Sequence, residues 1–230
     1  MRTYIIHIAD NPQSVKTANL ALETSYDYGY DAKLFEGITP KTLATHDTKW
    51  GLTVMRPSHM YDRQIGLNGS RYTYECKYSN FLNHYTIWQS VVAAEETMIV
   101  LEHDVIAVRP WDDPDFDEML VLNMDCGLHE KQFNRILKPK LYEGVHRYEN
   151  PYLIYRSENR WKGAGMIPGS AAYAITPKGA QRLIDNVNRY GWDKADYIIN
   201  NKAVKMEYAH PDYFTFSHHI VPNQRTSHGE

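Results

Sequence analysis

Cysteine is scarce: Cys76 and Cys126 are the two that 230 residues contain. They stand far apart and form no C-x-x-C pair, which argues against a disulfide framework or a cysteine-rich metal site and leaves reduced thiols as the expectation. Long apolar runs are missing as well. None approaches the roughly 20 residues of a membrane span, and the apolar part of the opening MRTYIIHIADNP is too short for a secretory signal, so a cytoplasmic protein is expected. Charge of one sign is also lacking. A net charge of -3 gives no global attraction to nucleic acid or anionic membrane, although a local basic groove stays compatible with it. There is no internal repeat and no low-complexity linker. What is present, 43% hydrophobic and 23% charged residues, is enough to bury the core of one soluble domain. Aromatics are plentiful. Eighteen tyrosines and five tryptophans suit clefts that hold sugars or bases, and equally suit half-exposed structural positions.

Along the chain, Thr3–Ile8 is a β-branched apolar run of the kind found in interior parallel strands. A helix is predicted next, capped by Asn11, with Pro12 in its first turn, Val15, Ala18 and Leu22 on one face and Gly29 as its stop. DAKLFEGITP then gives a second strand and a turn. The polar stretch from Lys41 to Glu75 reads as a long excursion over one sheet edge. From Ser79 the pattern turns helical, with Phe81, Tyr85, Trp88 and Val92 on one face and Glu95-Glu96 ending it before the strand TMIVL. Met119–Asn123 and Ala171–Thr176 are further strands. After the latter, Thr176 caps a helix with Pro177 first, Ala180, Leu183, Ile184 and Val187 inward, and Gly191 as stop. The tail HHIVPNQRTSHGE reads as mobile. Alternating strands and helices predict an α/β fold with a Rossmann-like, mostly parallel sheet flanked by helices, and ligands gather at the carboxyl ends of such strands.

The segment VLEHDV stands at one of those ends. If Met98–Leu101 is a buried strand, Glu102 and Asp104, two residues apart in an extended chain, point to one side. Two converging carboxylates repel unless a cation or donors balance them, and oxygen ligands suit Mg²⁺ or Mn²⁺ that already carries phosphate oxygens. A strand end turning into solvent accounts for the same acids.

The ordered set SNFLNHYTIW, IVLEHDV, GSAAYAITPKGAQRLI and ADYIIN, with YIIHIADNP and FEGITP before it, resembles glycosyltransferase family 25. This is the lipooligosaccharide and collagen-hydroxylysine type of sugar transferase, with small relatives in bacteria and tailed phages. On the family's helix motif fall Asn80, Leu82, Asn83, His84 and Trp88, where Asn80 and Asn83 replace the usual Cys and Ser. Glu102, His103 and Asp104 fall on the acidic triplet, where His103 replaces the middle acid. Gly169, Tyr173, Ile175, Thr176, Gly179 and Ala180 match the later segment, and Asp196 its downstream acid.

The resemblance implies one GT-A domain over 1–230, with the nucleotide-sugar half mainly in 1–125 and the acceptor half mainly in 126–230. It implies transfer of a sugar from a nucleotide-sugar donor to a hydroxyl with inversion, Mn²⁺ or Mg²⁺ on Asp104 with Glu102, and donor contacts from Asn80, Asn83, His84, Glu102, His103, Gly169 and Ser170. Inversion by one displacement needs a base for the acceptor proton; Asp196 is the first candidate and Asp193 the second. A plainer reading makes Asp193 a cap and Asp196 a solvated residue in a loop before a YIINNK helix. The turn HIADNPQS puts Asp10, Asn11 and Ser14 near the nucleotide, with helix N-terminal amides facing phosphate, and simple capping accounts for Asn11 equally.

Weaker features complete the reading. WDDPDFDE is acidic enough for a cation but lacks the Gly and final Glu of a calcium loop. His210, His218, His219 and His228 are candidates to return to a metal, and Arg156 and Lys162 to contact diphosphate. A glycan or lipooligosaccharide is the leading acceptor. A hydroxymethylated base in phage DNA is the alternative, tracked by the basic-aromatic stretches SRYTYECKYSN and KQFNRILKPKLYEGVHRY. A catalytically silent donor-binding module remains open, and so does a glycoside hydrolase, although hydrolases usually draw their paired acids from different elements.

Overall fold

The computed structural model describes residues 1–50, 74–124, 142–148, 153–154, 163–166 and 170–220. Its strands are β1 (Arg2–His7), β2 (Asp31–Glu36), β3 (Met98–Glu102), β4 (Val105–Ala107), β5 (Met119–Val121), β6 (Gly144–Arg147), β7 (Leu153–Ile154), β8 (Gly165–Met166), β9 (Ala172–Ile175), β10 (Met206–His210) and β11 (Phe214–Phe216). The helices are α1 (Pro12–Asp27), α2 (Leu43–Trp50), α3 (Tyr74–Ala94), α4 (Pro177–Tyr190), α5 (Ala195–Ile198) and α6 (Ser217–Ile220). Seven strands form one sheet in the order β2-β1-β3-β9-β5-β10-β6. Five run in one direction, and β9 and β6 oppose them. The sheet is therefore mostly parallel and Rossmann-like, as the alternation of strands and helices predicts.

The two faces of the sheet are sorted by the strand period of two. Met98 and Val100 of β3 join Tyr173 and Ile175 of β9 in a core covered by α3 and α4. Ile99 and Leu101, with Ala172 and Ala174, face the other way, against α1 and the β4–β11 ribbon. Continuing that alternation puts Glu102, the last residue of β3, on the α3 face.

Helix ends follow the sequence signals closely. The Asn11 side chain accepts from the amides of Gln13 and Ser14, Pro12 opens α1, and Gly29 follows with φ 79°. Thr176 accepts from the Gly179 amide, Ala180, Leu183, Ile184 and Val187 are buried, and Gly191 closes α4 with φ 88°.

Other expectations are corrected. In α1 the buried face is Ser14, Thr17, Ala18, Ala21 and Ser25, while Val15 and Leu22 are only half-buried. Small residues let this helix lie close to the sheet. The polar stretch after Lys41 begins with α2, started by a turn in which Thr42 Oγ1 accepts from the Thr39 amide. Helix α3 begins at Tyr74, five residues before Ser79, and buries Leu82, Asn83, His84, Ile87 and Val91 besides the predicted Phe81, Tyr85 and Trp88, while Val92 is half-buried. It is enclosed by the sheet, α4 and α5, so no single apolar stripe marks it.

Candidate active site

His84 is the centre of the site. It projects from α3 and is fully buried, and its Nε2 lies 3.8 Å from Oε1 of Glu102, whose side chain is 22% exposed. Its Nδ1 is 2.8 Å from the Tyr173 hydroxyl. Trp88, one turn further along α3, donates from Nε1 to the same hydroxyl at 3.0 Å. Loss of hydration depresses the imidazole to about 4, against the opposing pull of nearby Asp196, so His84 is neutral at physiological pH. Glu102 and Asp196, far apart in sequence, thus both act on one ring.

The acidic triplet does not continue as an extended strand. β3 stops at Glu102, His103 and Asp104 form a turn, and Val105 starts β4 in a separate two-stranded ribbon. The expected same-side placement from a pleat of two therefore does not apply to Asp104. Its position is set instead by β11: Phe216 pairs with Val105, and the Ser217 amide donates to the Asp104 carbonyl at 2.8 Å. Asp104 is buried, 9% exposed, while His103 is half-buried in the turn. The same pairing starts α6, so His218 is two residues beyond the partner of Val105 and its ring stacks on Phe216. The supposed mobile tail thus opens as a helix. Among the described residues, no three of His, Cys, Asp and Glu gather into a metal-binding group. Glu102 and Asp104 are oxygen ligands of the kind that Mg²⁺ or Mn²⁺ takes, one or two carboxylates with phosphate and water completing the shell.

Ser170 reaches the same corner. Its neighbour Ala171 accepts the Glu102 amide at 2.8 Å. Ser170 is 2% exposed, has φ 39°, and its Oγ has no hydrogen-bond partner among the described residues. A left-handed, buried serine with an idle hydroxyl is a form of strain that collects at ligand sites.

The two candidate bases sit beside α3. Asp196 lies in the first turn of α5 and is half-buried. Asp193 is 7% exposed, and one of its oxygens accepts the Lys194 amide at 2.8 Å. Burial raises its carboxyl to about 7, with the charge of Asp196 adding to the rise. The plainer reading is corrected here: α5 spans only Ala195–Ile198, its cap position is Lys194, and Asp193 is buried rather than capping from solvent. Wedging between α3 and α4 holds this short helix.

The β1–α1 turn is built for structure as well as access. Ser14 is buried and its Oγ accepts the Ile8 amide, and Asn11 is spent on its cap. Asp10 is exposed and pairs with Lys41 at 2.5 Å, a hydrogen bond that lowers its pKa. Asn83 accepts the Ile38 amide at 2.6 Å and donates to the Ile38 carbonyl at 3.3 Å, clamping the end of β2. Asn80 is half-buried on the same helix.

In WDDPDFDE, Asp112 bonds Arg109 and Tyr213, Asp117 bonds Lys178 and Lys205, and Glu118 bonds Arg182 and the Lys205 amide. Protein cations already neutralise these acids. A separate cavity of about 360 Å³ is lined by Arg109, Asp112, Glu143 and Tyr213, and none of the residues around His84 borders it. Gly169, Arg156, Lys162 and His228 lie outside the described residues, as do residues 70–73 and 131–141 of the two basic-aromatic stretches, while the rest of SRYTYECKYSN belongs to α3. His210 ends β10. Sequence reasoning assigned no role to Trp88 or Tyr173 beyond their match to a pattern; the one available signal was the four-residue spacing of His84 and Trp88, one helical turn.

The capsid-glycosylating glycosyltransferase of PBCV-1 is 13% identical over 86% of this chain and 72% of its own, with a TM-score of 0.36. CTP:phosphocholine cytidylyltransferase from Streptococcus pneumoniae is 10% identical over 94% and 92%, with a TM-score of 0.39. Mouse xyloside xylosyltransferase 1 is 10% identical over 86% and 79%, with a TM-score of 0.33. No curated protein sequence matches the chain. The model of glycosyltransferase family 25 (LPS biosynthesis protein) matches residues 1–199, a span that takes in α3, the β3 acidic corner, β9 and α5. The residues gathered around His84 are thus the matched ones, and the chain belongs to glycosyltransferase family 25.

Proposed function

We propose that this glycosyltransferase moves a sugar from a nucleoside-diphosphate sugar to a hydroxyl of a glycan of the lipooligosaccharide type, with inversion at the anomeric carbon. The observation that carries the reading is the corner at the end of β3. Glu102 there adjoins the buried Nε2 of His84 and the segment bearing the idle Ser170 hydroxyl, and Asp196 is near enough for its charge to act on the imidazole. Ligand hydroxyls satisfy such groups, because a buried donor left unmade is costly.

In this reading Glu102 accepts from a sugar hydroxyl, and neutral His84 and Ser170 supply donors. Asp104, with Glu102, holds Mn²⁺ or Mg²⁺, whose chemistry is to neutralise the departing diphosphate. His103, Asn80 and the exposed Asp10 border the nucleotide. Asn11 and Ser14 serve it indirectly, by keeping the β1–α1 turn in place. Asp196 removes the acceptor proton as the new bond forms. Asp193, which burial keeps protonated more readily than an ordinary aspartate, lessens the negative charge beside Asp196.

A thermal-shift panel of nucleoside-diphosphate sugars, with and without Mn²⁺, tests this on the wild type and Asp104→Ala. One donor is expected to stabilise the wild type only when metal is present and to lose that effect in the variant. Stabilisation by no donor, or equal stabilisation of both proteins, overturns the donor-site reading. The anomer formed, read by NMR of the product, decides inversion.

A further inference from the structure

We propose that Tyr173, anchored by Trp88, is a positioning residue that fixes His84 as its Nε2–H tautomer and turns that proton toward the Glu102 carboxylate. The directions of the bonds follow from the inventory of donors. An indole nitrogen only donates, so Trp88 Nε1–H gives its proton to the Tyr173 oxygen at 3.0 Å. The phenol then has one proton of its own to place. Tyr173 is 1% exposed, and burial pushes its ionisation well above the usual range, so the proton stays on the oxygen. Its other hydrogen-bond partner among the described residues is His84 Nδ1, 2.8 Å away. The opposite direction, Nδ1–H donating to the phenol, leaves a buried O–H with no acceptor, the costlier arrangement. Nδ1 is therefore the acceptor and the neutral ring carries its proton on Nε2.

The fold explains why the three side chains meet. His84 and Trp88 are one turn apart on α3, and Tyr173 stands opposite Val100 in the β3–β9 register, one pleat step from Glu102 on the same face. The Nε2 atom is buried, makes no hydrogen bond among the described residues, and faces Glu102 Oε1 across 3.8 Å. That distance is beyond a direct hydrogen bond. A neutral N–H dipole at this range orients the carboxylate without cancelling its charge. An imidazole with its proton on Nδ1 would instead turn a lone pair on the carboxylate and repel it.

The functional consequence rests on the proposed role of Glu102 in donor binding; the tautomer does not. Long-range ¹H–¹⁵N NMR of the full chain, with His84 assigned by its disappearance in His84→Gln, reads the proton position directly. The expected wild-type spectrum has Nε2 protonated and Nδ1 bare. Trp88→Phe is expected to keep that tautomer, because the phenol still donates to Nδ1. Tyr173→Phe is expected to release it, with a second Nδ1–H population and an affinity for the donor found by thermal shift weakened roughly tenfold. A proton on Nδ1 in the wild type overturns the proposal without any variant having to fold. An unchanged tautomer in Tyr173→Phe overturns it too. If Glu102→Gln binds the donor as tightly as the wild type, the donor-site reading fails while the spectra still judge the relay.

Discussion

His84 Nε2 faces Glu102 Oε1 at 3.8 Å, and the His84 ring is at the same time close enough to Asp196 to feel its charge. One buried imidazole thus ties the end of β3 to the short helix α5. Replacing it should be felt twice. His84→Ala removes the acceptor of the Tyr173 hydroxyl and leaves a cavity beneath α3, a loss of about 3 kcal/mol in stability that urea unfolding would measure. Donor affinity should fall in the protein that remains folded.

Asp193 carries a pH signature. Its carboxyl is raised to about 7 from an ordinary 3.8, so the folded protein binds this proton more tightly than the unfolded chain does. The resulting stability is complete below about pH 4 and is lost as pH rises through about 7, in total on the order of 4 kcal/mol. Asp193→Asn abolishes that loss, so its melting temperature should change less than that of the wild type between pH 5 and pH 8. A wild type that gains stability across this interval while Asp193→Asn does not would refute the assignment.

If Asp196 is the base, Asp196→Asn should lower kcat by about 10²-fold or more at every pH, a loss that initial-rate assays would read.

Gly179 is held against the chain that precedes β5. A Cβ at this position would lie 2.3 Å from the Glu118 carbonyl oxygen, a clash with backbone that no rotamer relieves. Gly179→Ala should cost about 2–3 kcal/mol, read as a lowered urea midpoint with an unchanged slope.

Asn83 acts as a clamp in this structure. Its amide satisfies both the N–H and the C=O of Ile38, at 2.6 and 3.3 Å. Asn83→Ala should destabilise by about 2 kcal/mol and speed hydrogen exchange at the Ile38 amide. Asn83→Ser, the residue usual at this place in the family pattern, should recover part of the protection.

By itself the sequence determined the parts whose causes are local. Asn11 and Thr176 cap, Pro12 and Pro177 open, Gly29 and Gly191 close, and the apolar run before Glu102 forms a buried strand, because caps, ring constraints and side-chain periods act over a few residues. The ordered residues of α3, β3 and β9 were also enough to point to the family. Tertiary structure alone decided the rest. The pleat rule carries no further than Glu102, since pairing of β4 with β11, over a hundred residues later in the chain, turns Asp104 out of the strand. Tyr173 meets Trp88 and His84 across 85 and 89 residues of sequence. Asp193 owes its raised carboxyl to burial beside α3, which no local pattern records. Contacts of that range depend on how the sheet is ordered and covered, and it is these contacts that give a histidine its tautomer and an acid its pKa.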